Sequence, residues 1–534
     1  MPKFSLDGKE IACDPGTTIL QAALRENREL PHYCYHPKLS IAGNCRICLV
    51  EVEKAPKLLI ACSTVVTEGM VVRTASPKAV EGRRGVMEFL LINHPLDCPI
   101  CDQAGECRLQ EYSVAHGSGE SRFIEEKVRK RKRVEIGPHV LLDEERCILC
   151  TRCIRFCQEI TETSELDLFN RGDRVTIGIF PERKLDNPYS GNVVDICPVG
   201  ALTSREFRFR SRVWFLKPTA SICPGCARGC NIWVDCAGEE VARLRPRVNE
   251  AVNSHWICDI GRNGFEYINR EDRLLSSLVK KDGALAPTPW KEAVDFAAGK
   301  LARIYKESGG EGIGWVVSGR LTNEEAYLVT RICRELLEGS RIAVLDHLEG
   351  QDDSLLLRQD RTPNRHGLAN LGLGNGKAGD ATTELVSALE KGSLRALIVL
   401  REDPAGDDAS IPFPEDRLAE LDLLVVQDLF LTRTAALADV VFPAASFAEM
   451  DGTYTNFEGR VQRIRTAKPA PGAGQAGWML LTLLGRALEG DFPYGTAEEV
   501  TAAIGEKISA YRGLSFATVG DQGMPQSAEK GDSP

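Results

Sequence analysis

Eighteen of the nineteen cysteines in this 534-residue chain lie within its first 258 residues, and only Cys333 lies beyond them. That distribution constrains the fold more than any other feature. So many thiols on a chain whose N-terminus, MPKFSLDGKE, shows no apolar run of signal-peptide length are expected to serve as metal ligands, since reducing compartments keep thiols out of disulfides. No stretch approaches the roughly 18 apolar residues that span a bilayer, so the chain reads as cytosolic, or peripheral on a membrane partner. The length and 43% apolar content allow several separately cored domains. A net charge of -10 argues against a protein that wraps nucleic acid. One basic run, Lys127 to Arg133 (KVRKRKR), is its local exception and reads as a solvated segment between domains.

Iron favours thiolate sulfur, and a cluster needs several donors around a small cage, so spacing carries the information. The first set is Cys34, Cys45, Cys48 and Cys62, spaced C-x10-C-x2-C-x13-C, a long-gapped variant of the plant-type 2Fe-2S loop. Gly43 suits a backbone that passes close to such a cluster. The second is His94, Cys98, Cys101 and Cys107, spaced H-x3-C-x2-C-x5-C. A histidine alone marks little, but beside these cysteines it becomes a candidate ligand, and an imidazole in place of a thiolate raises a cluster's potential. The third opens with Cys147, Cys150 and Cys153, the C-x2-C-x2-C run of a bacterial-type 4Fe-4S ferredoxin. For its fourth donor Cys197, followed by proline, competes with Cys157, which lies four residues past Cys153 and is followed by Gln158. The fourth set is Cys223, Cys226, Cys230 and Cys258, spaced C-x2-C-x3-C-x27-C. Structural zinc is the bland alternative for each set. The remaining Cys13, Cys157, Cys236 and Cys333 read as small buried apolar side chains.

The chain is expected to be multi-domain, α+β in its first half and α/β in its second. Phe4–Leu6, a turn at Asp7-Gly8 and Ile11–Cys13 read as a hairpin leading into a helix from Thr17 to about Glu26, the start of a β-grasp ferredoxin over 1–78. Helices around a cysteine loop fill 79–118, and a bacterial-ferredoxin-like module fills 138–210. A compact cysteine module covers 216–272. From 273 to 514 the strands of GIGWVVSG, RIAVLD, RALIVL and DLLVVQDL alternate with amphipathic helices, which predicts a mainly parallel sheet. Residues 515–534 are rich in Gly, Ser and Pro and read as disordered. The stretch LGLGNGKAG, Leu371 to Gly379, is a weak phosphate-cradle candidate because no clear strand precedes it.

In the order and spacing of all four ligand sets, the chain resembles the G subunit of bacterial NADH-quinone oxidoreductase, respiratory complex I. Ala438 to Gln462, ADVVFPAASFAEMDGTYTNFEGRVQ, is similar to a signature of the molybdopterin oxidoreductases, as is the helix expected over Asn323–Leu337. The second half is shorter than in typical members. The resemblance implies one 2Fe-2S cluster on Cys34, Cys45, Cys48 and Cys62. It implies three 4Fe-4S clusters on the other sets, with Cys197 completing the third and the set at Cys223 being of the molybdopterin-oxidoreductase type. It further implies a flavin- and NADH-binding partner, quinone-side iron-sulfur partners, and a place on the cytoplasmic side of the inner membrane, attached only through the complex. No catalysis by the chain alone, no molybdenum and no nucleic-acid partner are expected. Two other classes compete: the large subunit of an NAD-linked molybdenum formate dehydrogenase, for which Cys333 would be the sole remaining cysteine ligand, and the diaphorase subunit of a hydrogenase, which stops before Cys223.

Overall fold

The computed structural model describes residues 1–374 and 379–526, which form two compact units, Met1–Leu216 and Lys217 onward. Its elements begin where local chemistry dictates. Asp7 and Gly8 both take positive φ, 50° and 84°, the conformation that joins strands Lys3–Leu6 and Lys9–Ala12 as a tight antiparallel hairpin. Thr18 and Gln21 cap one another at the start of helix Ile19–Arg25: Gln21 N donates to Thr18 Oγ1 at 3.3 Å and Thr18 N to Gln21 Oε1 at 2.9 Å. The helix packs Ile19, Leu20, Ala22 and Ala23 against Phe4, Leu6, Val50 and Val72 of a five-stranded sheet. Two helices, Pro77–Leu91 and Arg108–His116, follow, with the His94 and Cys98 loop between them.

In the rest of the first unit, the three-stranded sheet containing Val140–Leu142 pairs that strand with Leu202–Ser204, and helix Arg152–Glu159 lies between them in sequence. The basic run is solvent-exposed over much of its length, yet several of its cations are tied to the protein. Lys127 Nζ donates to the carbonyls of Leu91 and Ile92 at 2.7 Å, Arg131 pairs with Glu144 at 2.6 Å, and Lys132 pairs with Glu145 at 2.8 Å. Lys127, Lys130, Arg131 and Lys132 thus meet acceptors of the protein itself.

The second unit begins within the first strand of a three-stranded antiparallel sheet, Leu216–Ile222, Asn231–Ala237 and Glu240–Pro246. A seven-stranded sheet then runs in the spatial order Ala284–Pro287, Leu278–Lys281, Val440–Pro443, Leu423–Asp428, Ala396–Leu400, Ile313–Ser318, Arg341–Leu345. The last five are mutually parallel. Alternation along these strands sorts side chains between two apolar layers: Trp315, Ile398, Val425 and Phe442 face one, and Val316, Val399, Val426 and Val441 face the other. Helices Trp290–Ser308 and Gly477–Ala487 cover the first face, and Asp380–Glu390 covers the second.

Two expectations change. Residues 515–526 are folded: Phe516 and Val519 of helix Phe516–Val519 are buried in the core, and Met524–Pro525 pairs as a strand with Arg460–Ile464. Apolar residues spaced among glycines were enough to anchor them. Residues 527–534 lie outside the described residues, as do 375–378 in the middle of the glycine-rich LGLGNGKAG stretch. The helix expected over Asn323–Leu337 is α-helical only to Arg331 and continues as a π-turn over Ile332–Leu336.

Candidate metal centres

All nineteen cysteines are unpaired thiols. In the first set, Cys45 and Cys48 sit on the loop before strand Leu49–Val52, and Cys62 lies two residues past strand Leu59–Ile60. All four thiols are buried, at 1%, 8%, 1% and 1% exposure in chain order. They touch in series: Cys34 meets Cys45 and Cys62, and Cys62 meets Cys48. The thiols of Cys45 and Cys62 hold Cys34 well below the ordinary thiol range, and the same contact with Cys34 pushes Cys62 up. Gly43, at φ 63°, leaves room where a Cβ would press on Ile60.

The second set lines a cavity of about 150 Å³. His94, Cys98, Cys101 and Cys107 all face it, among Leu91, Leu109 and Val114. His94 follows the end of one helix and Cys107 caps the start of the next. Burial first, then the charge of Arg146, pulls the His94 imidazole down to about 4, so it is neutral at pH 7. Its Nδ1 is buried with no hydrogen-bond partner among the described residues. A buried polar atom left alone costs stability, so this nitrogen is suited to a ligand the protein itself does not supply.

The third set lines a small apolar cavity: Cys147, Cys150, Cys153 and Cys197 among Leu142, Ile177, Val199 and Leu202. Leu149 and Thr151 take positive φ, 55° and 60°, which coils the loop around its own thiols, and Leu149 N donates to Cys147 Sγ at 3.4 Å. Cys157 lies off this lining. It is fully buried beside Glu165 and Leu166, and burial pushes its thiol up to about 12. The fourth set gathers at the end of strand Leu216–Ile222 and the start of helix Asp259–Asn263. Gly225 N donates to Cys223 Sγ at 3.4 Å and Gly261 N to Cys258 Sγ at 3.3 Å. A Cβ on Gly261 would stand 2.8 Å from Cys223 Sγ and 3.4 Å from Cys258 Sγ, so only glycine closes this cradle.

Backbone N–H groups aimed at sulfur, a neutral imidazole and thiols around enclosed apolar space fit iron-sulfur ligation. Among the described residues no group of three or more His, Cys, Asp or Glu side chains is arranged to hold a single metal ion. The first three sets also meet: Cys34, Cys45, Cys107 and Cys150 belong to one apolar cluster with Tyr33, Met87, Tyr112 and Val199, and Cys147 and Cys197 pack against it. Of the cysteines left over, Cys13 and Cys333 are core thiols, and Cys236 is buried on strand Asn231–Ala237. Sequence reasoning overlooked Gly200, Gly261 and the buried arginines of the ligand loops. A cation inside a run of ligand cysteines, as in Cys150-Thr151-Arg152-Cys153, is the signal that could have marked the last.

Five family models match in chain order. They are a 2Fe-2S iron-sulfur cluster binding domain over 2–77, the NADH-ubiquinone oxidoreductase-G iron-sulfur binding region over 83–122, and the NADH-quinone oxidoreductase subunit 3 ferredoxin-like domain over 137–203. An NDSU1/NuoG-like 4Fe-4S domain of NADH-ubiquinone oxidoreductase covers 216–266, and a molybdopterin oxidoreductase model covers 361–487. The mitochondrial NADH-ubiquinone oxidoreductase 78 kDa subunit of Neurospora crassa is 33% identical over 614 residues, 92% of this chain and 81% of that protein. The NADH-quinone oxidoreductase G subunit of Rickettsia conorii is 42% identical over 344 residues, 64% of this chain and 50% of that one. The chain thus spans about half the length of the first curated relatives it matches. A crystal structure of an NAD+-reducing nickel-iron hydrogenase is 30% identical, with a TM-score of 0.36, over 40% of this chain and 91% of that one.

Proposed function

This chain belongs to the family of the NADH-quinone oxidoreductase G subunit and the mitochondrial 78 kDa subunit, and from that membership we propose that it is the iron-sulfur electron-transfer subunit of a respiratory complex I. The observation that carries this reading is the meeting of three thiol sets in one buried apolar cluster. Short separations through a low-dielectric, water-free interior are what electron transfer between neighbouring centres requires.

Iron-sulfur clusters, when bound, take up and release single electrons. Cys34, Cys45, Cys48 and Cys62 would hold the 2Fe-2S cluster. His94 with Cys98, Cys101 and Cys107, Cys147 with Cys150, Cys153 and Cys197, and Cys223 with Cys226, Cys230 and Cys258 would hold one 4Fe-4S cluster each. The protein's part is to exclude water, to aim N–H groups at sulfur and to fix spacing. Gly225 and Gly261 do so at the fourth set, and the left-handed turns at Leu149 and Thr151 do so at the third.

In this reading the residues of the first set would hold the cluster that receives electrons from a flavin- and NADH-binding subunit. Those of the third and second sets would hold the clusters that pass them towards quinone-side iron-sulfur subunits, and the cluster of the fourth set would not be needed for that path. The whole complex couples the transfer to proton translocation. Among the described residues no helix is long and apolar enough to cross a membrane, which suits peripheral attachment on the cytoplasmic side of the inner membrane through partner subunits. The chain alone oxidises neither NADH nor formate.

Metal and acid-labile sulfide analysis of anaerobically purified chain, with electron paramagnetic resonance of the reduced protein, tests this. About 14 iron atoms per chain are expected, two from a 2Fe-2S cluster and twelve from three 4Fe-4S clusters. Stoichiometric zinc, or iron near half that value in fully loaded protein, refutes the ligand assignment. One pterin-bound molybdenum per chain favours a formate dehydrogenase instead.

A further inference from the structure

Two buried arginines lie between the first and third thiol sets. Arg155 Nη2 donates to the carbonyl of Cys34 at 2.7 Å and to that of Cys150 at 3.1 Å, Nη1 donates to the carbonyl of Ser40, and Nε donates to Thr151 Oγ1 at 3.3 Å. Arg152 Nη1 donates to the carbonyl of Ile196, next to Cys197, at 3.1 Å, and Nη2 to that of Tyr35, next to Cys34. Its Nε is buried without a partner. Each guanidinium therefore joins the backbone beside Cys34 to the backbone beside a donor of the third set.

Their partners are neutral. Among the described residues neither arginine has a carboxylate partner, whereas Arg146, also buried, pairs with Asp97 at 2.8 Å and Asp143 at 2.9 Å. Two cations kept from water with only neutral carbonyl and hydroxyl oxygens as hydrogen-bond partners are costly unless a negative group balances them. The thiolate ligands of the adjoining sets are the anionic groups the site provides. We propose that Arg152 and Arg155 are positioning residues shared by the first and third cluster sites, supplying one counter-charge to both and holding both at raised reduction potential. This rests on the iron-sulfur reading above.

The test is a redox titration, followed by electron paramagnetic resonance, of the purified full-length chain and its variants. Arg152→Gln and Arg155→Gln should each lower both potentials, making the reduced state at least tenfold less favoured at each site, about 59 mV for one electron. Arg152→Lys and Arg155→Lys, which keep the charge, should recover most of that shift. Arg83 provides the control. It is buried and, among the described residues, donates only to the carbonyl of Leu49, beside Cys48, at 3.1 and 2.8 Å, so Arg83→Gln should shift the first site alone.

Clusters retained with both potentials unmoved, or only one moved, in the two Gln variants overturn the proposal. If a Gln variant loses iron, loss of both the first and third signals, with retention in the Lys variant, supports it, and loss of one signal alone overturns it. Absence of these signals from the unsubstituted protein refutes the iron-sulfur reading itself, and the proposal with it.

Discussion

The thiol of Cys101 occupies the space that a side chain on Gly200 would need. Gly200 closes the segment Cys197-Pro198-Val199-Gly200, whose first residue faces the third set while its last abuts the second. The Pro198 carbonyl also accepts from Arg108 N at 3.2 Å, next to Cys107. One short segment thereby sets the position of two sites.

Gly200→Ala should therefore displace Cys101 and remove one 4Fe-4S signal, with overpacking costing about 1–3 kcal/mol. Gly299→Ala is the comparison: it lies on helix Trp290–Ser308 with open space around it and should be neutral or stabilising by up to about 1 kcal/mol. Iron content and thermal midpoints of the two variants check this, and full iron in Gly200→Ala would contradict the close packing.

Cys157→Ser should keep all four clusters, while Cys197→Ser should lose or convert the third. Cys197 shares the small cavity with Cys147, Cys150 and Cys153, and Cys157 does not. Equal iron loss in Cys157→Ser would show the fourth donor to be misassigned.

Cys333→Ala should leave metal content untouched and lower stability by about 1 kcal/mol, the scale of one small buried apolar group. The thiol is 5% exposed within the main apolar core, and among the described residues no group of three or more His, Cys, Asp or Glu gathers there to hold a metal. Molybdenum content that falls on this substitution would restore the formate dehydrogenase reading.

Burial, reinforced by Glu402 and Asp403, raises the Asp428 carboxyl from 3.8 to about 7. The folded state then holds this proton more tightly than the unfolded state does. Its contribution is fully present below about pH 4 and is lost as pH rises through about 7. The advantage of wild type over Asp428→Asn, measured by urea unfolding, should accordingly shrink between pH 5 and pH 8. A pH-independent difference would show that Asp428 does not titrate there.

Sequence alone determined what depends on near neighbours along the chain. The Asp7-Gly8 turn, the Thr18 cap, the parallel strands from Ile313 to Val441 and the grouping of closely spaced cysteines all follow from local conformation and periodicity. Tertiary structure decided what depends on residues distant in sequence. Arg155 reaches the carbonyl of Cys34, Gly200 abuts Cys101, Cys197 rather than Cys157 faces the third cavity, and Met524 pairs beside Val461. A backbone carbonyl accepts a hydrogen bond whatever its side chain, and a glycine needed for close approach looks like any other glycine. Such contacts leave no periodic mark on the chain, and they exist only once folding has brought the segments together.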